Sequence, residues 1–112
     1  MANQYEVKIT AQALAQMREI NDYIAHELQA PDAARNLLDK MQFEIKKLSE
    51  FPKKHKLIEE EPWHSEGVRK IIVNNFLVYY WIDEDNMLVQ GIAVIYEKRD
   101  QIKQLAKIDF KN

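Results

Sequence analysis

The sequence predicts an α+β fold: an N-terminal strand, an antiparallel helical hairpin packed on a mainly antiparallel sheet with a three-strand C-terminal meander, and a short C-terminal helix. Three observations carry that prediction. Apolar residues recur at helical spacing through residues 13–28 and again through 34–48, with only Gln29-Ala30-Pro31 between the two stripes. Three strand-like runs between Val68 and Tyr96 are separated by two turn signals. A short alternating run, residues 5–9, precedes the first stripe. A chain of 112 residues builds one modest core, so a single domain over residues 1–112 is the expected organisation.

Each element follows from its residues. Residues 5–9 alternate as a strand, and Thr10 then has the side chain of a helix N-cap, with Ile9 and Leu14 spaced as a hydrophobic staple around it. Ala13, Met17, Ile20, Ile24 and Leu28 line one face of a helix over 11–28, widened by Leu14 and Tyr23. Pro31 suits the first turn of a second helix and Asp32 its positive dipole end; Ala34, Leu37, Leu38, Met41, Ile45 and Leu48 form the apolar stripe. Lys46 and Lys47 fall in the last turn, and Phe51-Pro52 stops the helix. The short connection makes the pair antiparallel, and their stripes need the sheet to cover them.

Residues 53–66 read as a polar connection with Trp63 as the exception, covering a core edge together with Pro62. Strands are expected at 68–73, 76–82 and 87–96. Asn74-Asn75 makes a tight turn because Asn tolerates positive φ, and residues 83–86 make the second. The middle run is apolar on both faces, which places it centrally. Asp100 caps a last helix holding Ile102 and Leu105.

Composition excludes several function classes. The 46% hydrophobic and 30% charged fractions are those of a globular chain, and two glycines and three prolines leave little room for linkers. With no cysteine there is neither a disulfide framework nor a thiolate metal site; with no long apolar run, no membrane association and a cytoplasmic location are expected. Residues 1–42 carry 4 basic and 6 acidic side chains, 43–66 carry 5 and 6, and 67–112 carry 7 and 6, giving −2, −1 and +1. None of these matches the large positive excess of a protein that binds nucleic acid by phosphate neutralisation. Lys46, Lys47, Lys53, Lys54 and Lys56 form one local basic run, followed at once by Glu59, Glu60 and Glu61, and read as a solvated helix end and loop. His26, His55 and His64 are scattered, so neither a metal site nor a cofactor is expected.

The candidate binding residues lie around the meander. Arg69 shares its strand face with Ile71 and Val73, where a cation calls for a carboxylate partner or a function. Strand alternation groups Tyr96 with Val94 and Ile92, as core closure with a wet hydroxyl or as a base. Lys98 and Arg99 follow the last strand, with Arg99 able to cap the final helix or pair with Asp100. Tyr79, Tyr80 and Trp81 are consecutive strand residues pointing to opposite faces, which is core packing rather than a base-stacking platform.

Together with the order of elements, Gly67-Val68-Arg69 opening the meander, Asn75-Phe76-Leu77-Val78-Tyr79-Tyr80 in the central strand and Ile95-Tyr96-Glu97-Lys98-Arg99-Asp100 after the last strand make the chain similar to the RelE/ParE superfamily of bacterial type II toxin–antitoxin toxins. The resemblance covers nearly the whole chain. RelE-like toxins are metal-independent, ribosome-dependent endoribonucleases in which the messenger's own 2′-hydroxyl attacks the adjacent phosphate. Such chemistry needs a base, an acid and cations for the charged transition state. The RelE-like pattern has one arginine just before the central Leu-Val-Tyr and another just past the last strand, whereas this sequence has Phe76 and Glu97 there. A slipped register would leave Arg69, Lys98 and Arg99 as cations with Tyr96 or His64 as base.

The ParE-like branch, whose toxins inhibit DNA gyrase by binding it, fits better: Phe51-Pro52 after the hairpin, Gly67-Val68-Arg69 and Arg99-Asp100 all match its description. The resemblance therefore implies a growth inhibitor of the plasmid-stabilisation type that binds rather than cuts. The alternatives are a RelE-like ribonuclease acting on ribosome and messenger RNA, and a non-toxic interaction module of the same fold. It also implies a cognate antitoxin, a heterotetramer being one assembly open to the pair. The antitoxin's acidic or mixed-charge tail is expected over Arg69, Lys98 and Arg99.

Overall fold

The computed structural model describes residues 4–108. Strand β1 (Glu6–Ile9) leads into helix α1 (Ala11–Asp22), and α2 (Pro31–Lys46) returns antiparallel to it. A one-turn helix α3 (Trp63–Glu66) precedes strands β2 (Val68–Val73), β3 (Phe76–Asp83) and β4 (Leu88–Tyr96), and α4 (Gln101–Leu105) follows. The sheet order is β1-β4-β3-β2, with β1 parallel to β4 and the other pairs antiparallel. The fold is the α+β arrangement expected, and β3 is an inner strand.

Local chemistry sets the boundaries. Thr10 caps α1, its hydroxyl accepting from the Ala13 N–H at 3.2 Å. Pro31 opens α2 and Asp32 sits in its first turn. Asn74 takes φ +53° in the β2–β3 turn, as an Asn can. Met87, expected to begin the last strand, instead ends the β3–β4 turn at φ +49°, so β4 starts at Leu88.

Two expectations fail for a geometric reason. After Asp22 the helix widens into a π-helical turn, Tyr23–Glu27, with Leu28 N–H bonded to the Tyr23 carbonyl at 3.1 Å. Winding by i→i+5 breaks the 3.6-residue phase, so Leu28 is 55% exposed rather than part of the buried stripe. Leu14 and Tyr23 also lie at the surface. Residues 63–66, read as connection, form α3, which presents buried Trp63 to the sheet as the core cover anticipated.

The sheet is covered on both faces. On the helical face Met17, Leu37, Met41 and Ile45 pack against Ile71, Val73, Val78, Tyr80, Val89 and Val94. On the reverse face Ile58, Trp63 and Leu105 pack against Val68, Leu77, Tyr79, Ile92, Ala93 and Ile95. Burial on both sides is why β3 reads as one unbroken apolar run. A bulge interrupts the β3–β4 ladder: Tyr79 pairs with Ala93 and Tyr80 with Gly91, leaving Ile92 extra. Alternation predicted Ile92, Val94 and Tyr96 on one face, but the bulge sends Ile92 to the reverse face while Val94 stays under the helices. The sheet's two rims are partly closed by single bridges, Gln4 to Glu50 beyond β1 and Leu57 to Arg69 beyond β2. Among the described residues no helix is long and apolar enough to cross a membrane.

Tyr80 is fully buried and donates its hydroxyl hydrogen bond to the Pro52 carbonyl. Tyr80→Phe leaves that carbonyl without its donor, so the unfolding free energy should fall by about 1–3 kcal/mol with the fold retained. A denaturation midpoint unchanged from wild type would show that the bond does not hold the turn.

Candidate functional site

The exposed cationic feature of the meander is the turn after β4. Tyr96 pairs with Phe76 across β3 and β4, their rings tilted at 51° with centroids 5.5 Å apart. The Glu97 N–H bonds the Asn75 carbonyl at 2.9 Å and the Arg99 N–H bonds the Tyr96 carbonyl at 3.0 Å, so the chain folds back sharply. Asp100 then caps α4, its carboxylate accepting from the Lys103 N–H. Lys98 and Arg99 are exposed side by side on this turn, and neither forms an ion pair with a described residue, Asp100 included.

What fixes the turn is Gln101, which the sequence reading missed. Its amide nitrogen donates to the carbonyls of Tyr96 at 2.8 Å and Arg99 at 2.9 Å, while its amide oxygen accepts from the Tyr79 hydroxyl at 2.9 Å. Tyr79 is buried on the reverse face, so the turn is tied directly to the core. The signal was present: a tyrosine assigned to a buried face needs a partner for its hydroxyl, and Gln101 is a polar residue next to the cationic cluster.

Arg69 is not part of this cluster. It lies opposite Tyr80, and four residues along β3 separate Tyr80 from Phe76, roughly 13 Å of strand. Instead of the carboxylate expected, its guanidinium meets main-chain carbonyls, donating to Lys53 at 3.3 Å and to His55. With the Tyr80–Pro52 bond, it holds residues 52–55 down. Burial, then the charges of Lys54 and Arg69, hold the His55 imidazole below its usual pKa. The same segment is clipped from outside: Lys53 pairs with Glu84 at 2.7 Å, and Glu84 also accepts from the Tyr5 hydroxyl.

His64 is elsewhere again. It sits on α3, which packs on the reverse face through Trp63, with Nδ1 2.8 Å from the Ile58 carbonyl. The candidate residues thus fall in three places: Tyr96, Lys98 and Arg99 together, Arg69 under the 52–55 segment, and His64 on α3. Phe76 and Glu97 flank Tyr96 with an apolar ring and a carboxylate. Among the described residues no three His, Asp or Glu side chains are grouped to hold a metal ion.

Residues 7–101 match the family model described as the ParE toxin of the type II toxin–antitoxin system, parDE. No curated protein matches the sequence. Among solved structures, the chain is similar to one from the chromosomal ParDE toxin–antitoxin system of P. aeruginosa, at 18% identity over 85% of this chain and 98% of that one, with a TM-score of 0.70. It is also similar to a chain of a RelBE toxin–antitoxin complex from Mycobacterium tuberculosis (18% identity, 83% and 91% covered, TM-score 0.58) and to an arginine-substituted E. coli RelE toxin in the free state (14%, 93% and 93%, 0.62). At these identities the structural likeness is one of fold.

Gln101→Ala removes three hydrogen bonds from the turn while leaving the Asp100 cap. Amide exchange at residues 97–100 should quicken by about tenfold or more, the equivalent of one lost hydrogen bond of about 1.4 kcal/mol; exchange at the wild-type rate would show that the latch does not restrain the turn. Burial pushes the Tyr79 and Tyr80 hydroxyls up to about 12 each, from 10.0. The folded protein holds these protons more tightly than the unfolded chain, so their contribution is complete below pH 10 and is lost as pH rises from 10 to 12. The thermal midpoint should fall across that window, and ring signals of both tyrosines followed by NMR should stay those of the neutral phenol until pH nears 12; ionisation of either near pH 10 would contradict the burial described.

Proposed function

The chain belongs to the ParE toxin family of type II toxin–antitoxin systems, and from that premise we propose that it arrests growth by binding its target, DNA gyrase, and is neutralised by a cognate antitoxin. Residues 1–112 act as one toxin domain in the cytoplasm. The contact surface is Tyr96, Lys98 and Arg99; Arg69 lies apart from it, where it anchors residues 52–55.

The observation that carries the reading is the composition of the β4 end. Phe76 and Glu97 stand around Tyr96, so the positions that would place positive charge on a phosphorane hold a ring and a carboxylate. Lys98 and Arg99 point instead from a latched, exposed turn, a geometry suited to pairing with acidic groups of a protein partner and costing little ordering entropy. Arg69 is occupied by carbonyls and His64 lies on α3, so the base and the cations are not gathered around one phosphate. The adjacency of Tyr96 to Lys98 and Arg99 is what favours the second reading, ribosome-dependent cleavage of messenger RNA.

The deciding experiment is induced expression without antitoxin, followed by parallel assays of plasmid supercoiling and messenger integrity. We expect blocked supercoiling with intact messenger, and a loss of inhibition of about tenfold or more in Lys98→Ala/Arg99→Ala. Normal supercoiling with cleaved messenger would establish the ribonuclease instead, and uninterrupted growth would leave only an interaction module.

A further inference from the structure

A second surface, distinct from the latched turn, lies where α2 ends. Two of the most exposed bulky apolar side chains among the described residues lie there, Phe43 at 63% and Phe51 at 64%. Phe51 is held outward by a left-handed backbone, φ +51°, directly before Pro52. Three adjoining clefts of about 380, 300 and 440 Å³ open here, Phe51 lining the first and third and Phe43 the third, and Lys54 lines all of them. Lys46 and Lys54 form no ion pair with a described residue, and Lys47 is shared between Glu44 at 3.3 Å and the Phe43 ring at 5.5 Å. Read from sequence, these lysines belonged to a solvated run. In the fold they surround bulky apolar groups that water solvates poorly, which marks an interface.

We infer that this surface seats an acidic segment of the antitoxin that carries bulky apolar side chains between its carboxylates; the inference rests on the toxin–antitoxin reading above. Charge chooses the occupant. A second copy of the chain would bring the same lysines against these. A nucleic acid strand would bring unbroken negative charge past Glu44 and Glu50, which line the same clefts, whereas a peptide can space its carboxylates to meet Lys46 and Lys54 and fill the clefts with apolar groups. The place also accounts for neutralisation. Ile71 lines the second cleft and pairs with Val78, which pairs with Val94, so the surface ends two strands, about 10 Å, from a point two residues before Tyr96 and the turn that follows it. A segment seated here reaches the target-contact turn within a few further residues.

The test is calorimetric titration of the full-length toxin with its purified antitoxin, for wild type, Lys46→Glu/Lys54→Glu and Phe43→Ser/Phe51→Ser. All four side chains are exposed, so thermal midpoints should hold, and inhibition of the target by each variant alone should match wild type. We expect each pair of substitutions to weaken antitoxin binding at least about tenfold, and salt to weaken wild-type binding more than that of the lysine variant. Wild-type affinity in both variants would overturn the placement and leave the toxin–antitoxin reading intact, whereas an antitoxin that did not bind the wild-type chain would overturn that reading. Displacement of the antitoxin by a single-stranded uridine oligonucleotide that itself loses affinity in both variants would assign the surface to nucleic acid instead.

Discussion

Strand β3 is buried on both faces and carries two tyrosines in succession, and most of what is distinctive about this structure answers that constraint. A buried phenol must find an acceptor, and consecutive strand residues must find theirs on opposite sides of the sheet. Tyr80 donates on the helical face to the Pro52 carbonyl, and Tyr79 donates on the reverse face to Gln101. Tyr80's acceptor opens a single 3-10 turn and Tyr79's the short helix α4, and each bond fixes its segment to the core. The first segment carries Phe51 and Lys54; the second carries Lys98 and Arg99. One strand thereby sets the positions of both segments.

Arg69 extends the same logic. A guanidinium beside a buried tyrosine would be costly if left unpaired, and two main-chain carbonyls of the 52–55 segment satisfy it without a carboxylate. Both bonds use Nη1. It also places a fixed positive charge next to His55, which adds to burial and to the charge of Lys54 in lowering the pKa of that ring.

Much of the architecture was legible because its determinants are local. Thr10, Pro31, Asn74 and Asp100 each act within a few residues of themselves, and each stands where its chemistry placed it. Leu28 was misjudged because the π-helical turn changes the winding without a residue type that announces it. Ile92 was misjudged because a bulge is a property of two strands together, and neither strand alone shows it. Gathering the site was harder still. Arg69 and Arg99 both open or close the meander in sequence, but the strand register separates them; the Gln101 latch depends on Tyr79, 22 residues away.

The parallel pairing of β1 with β4 sets an order of events. Residues 6–9 hydrogen-bond alongside residues 88–91, and Gln16 on α1 accepts from the Val94 N–H, so the N-terminal quarter of the molecule completes its contacts only with the last strand. Contacts of such long sequence separation form late, after the loop between them has closed. On the ribosome the hairpin is made long before the strand that its own leading β1 must join, and the latched turn lies beyond that strand. A nascent chain, or one truncated before β4, therefore lacks both its closed sheet and its cationic turn.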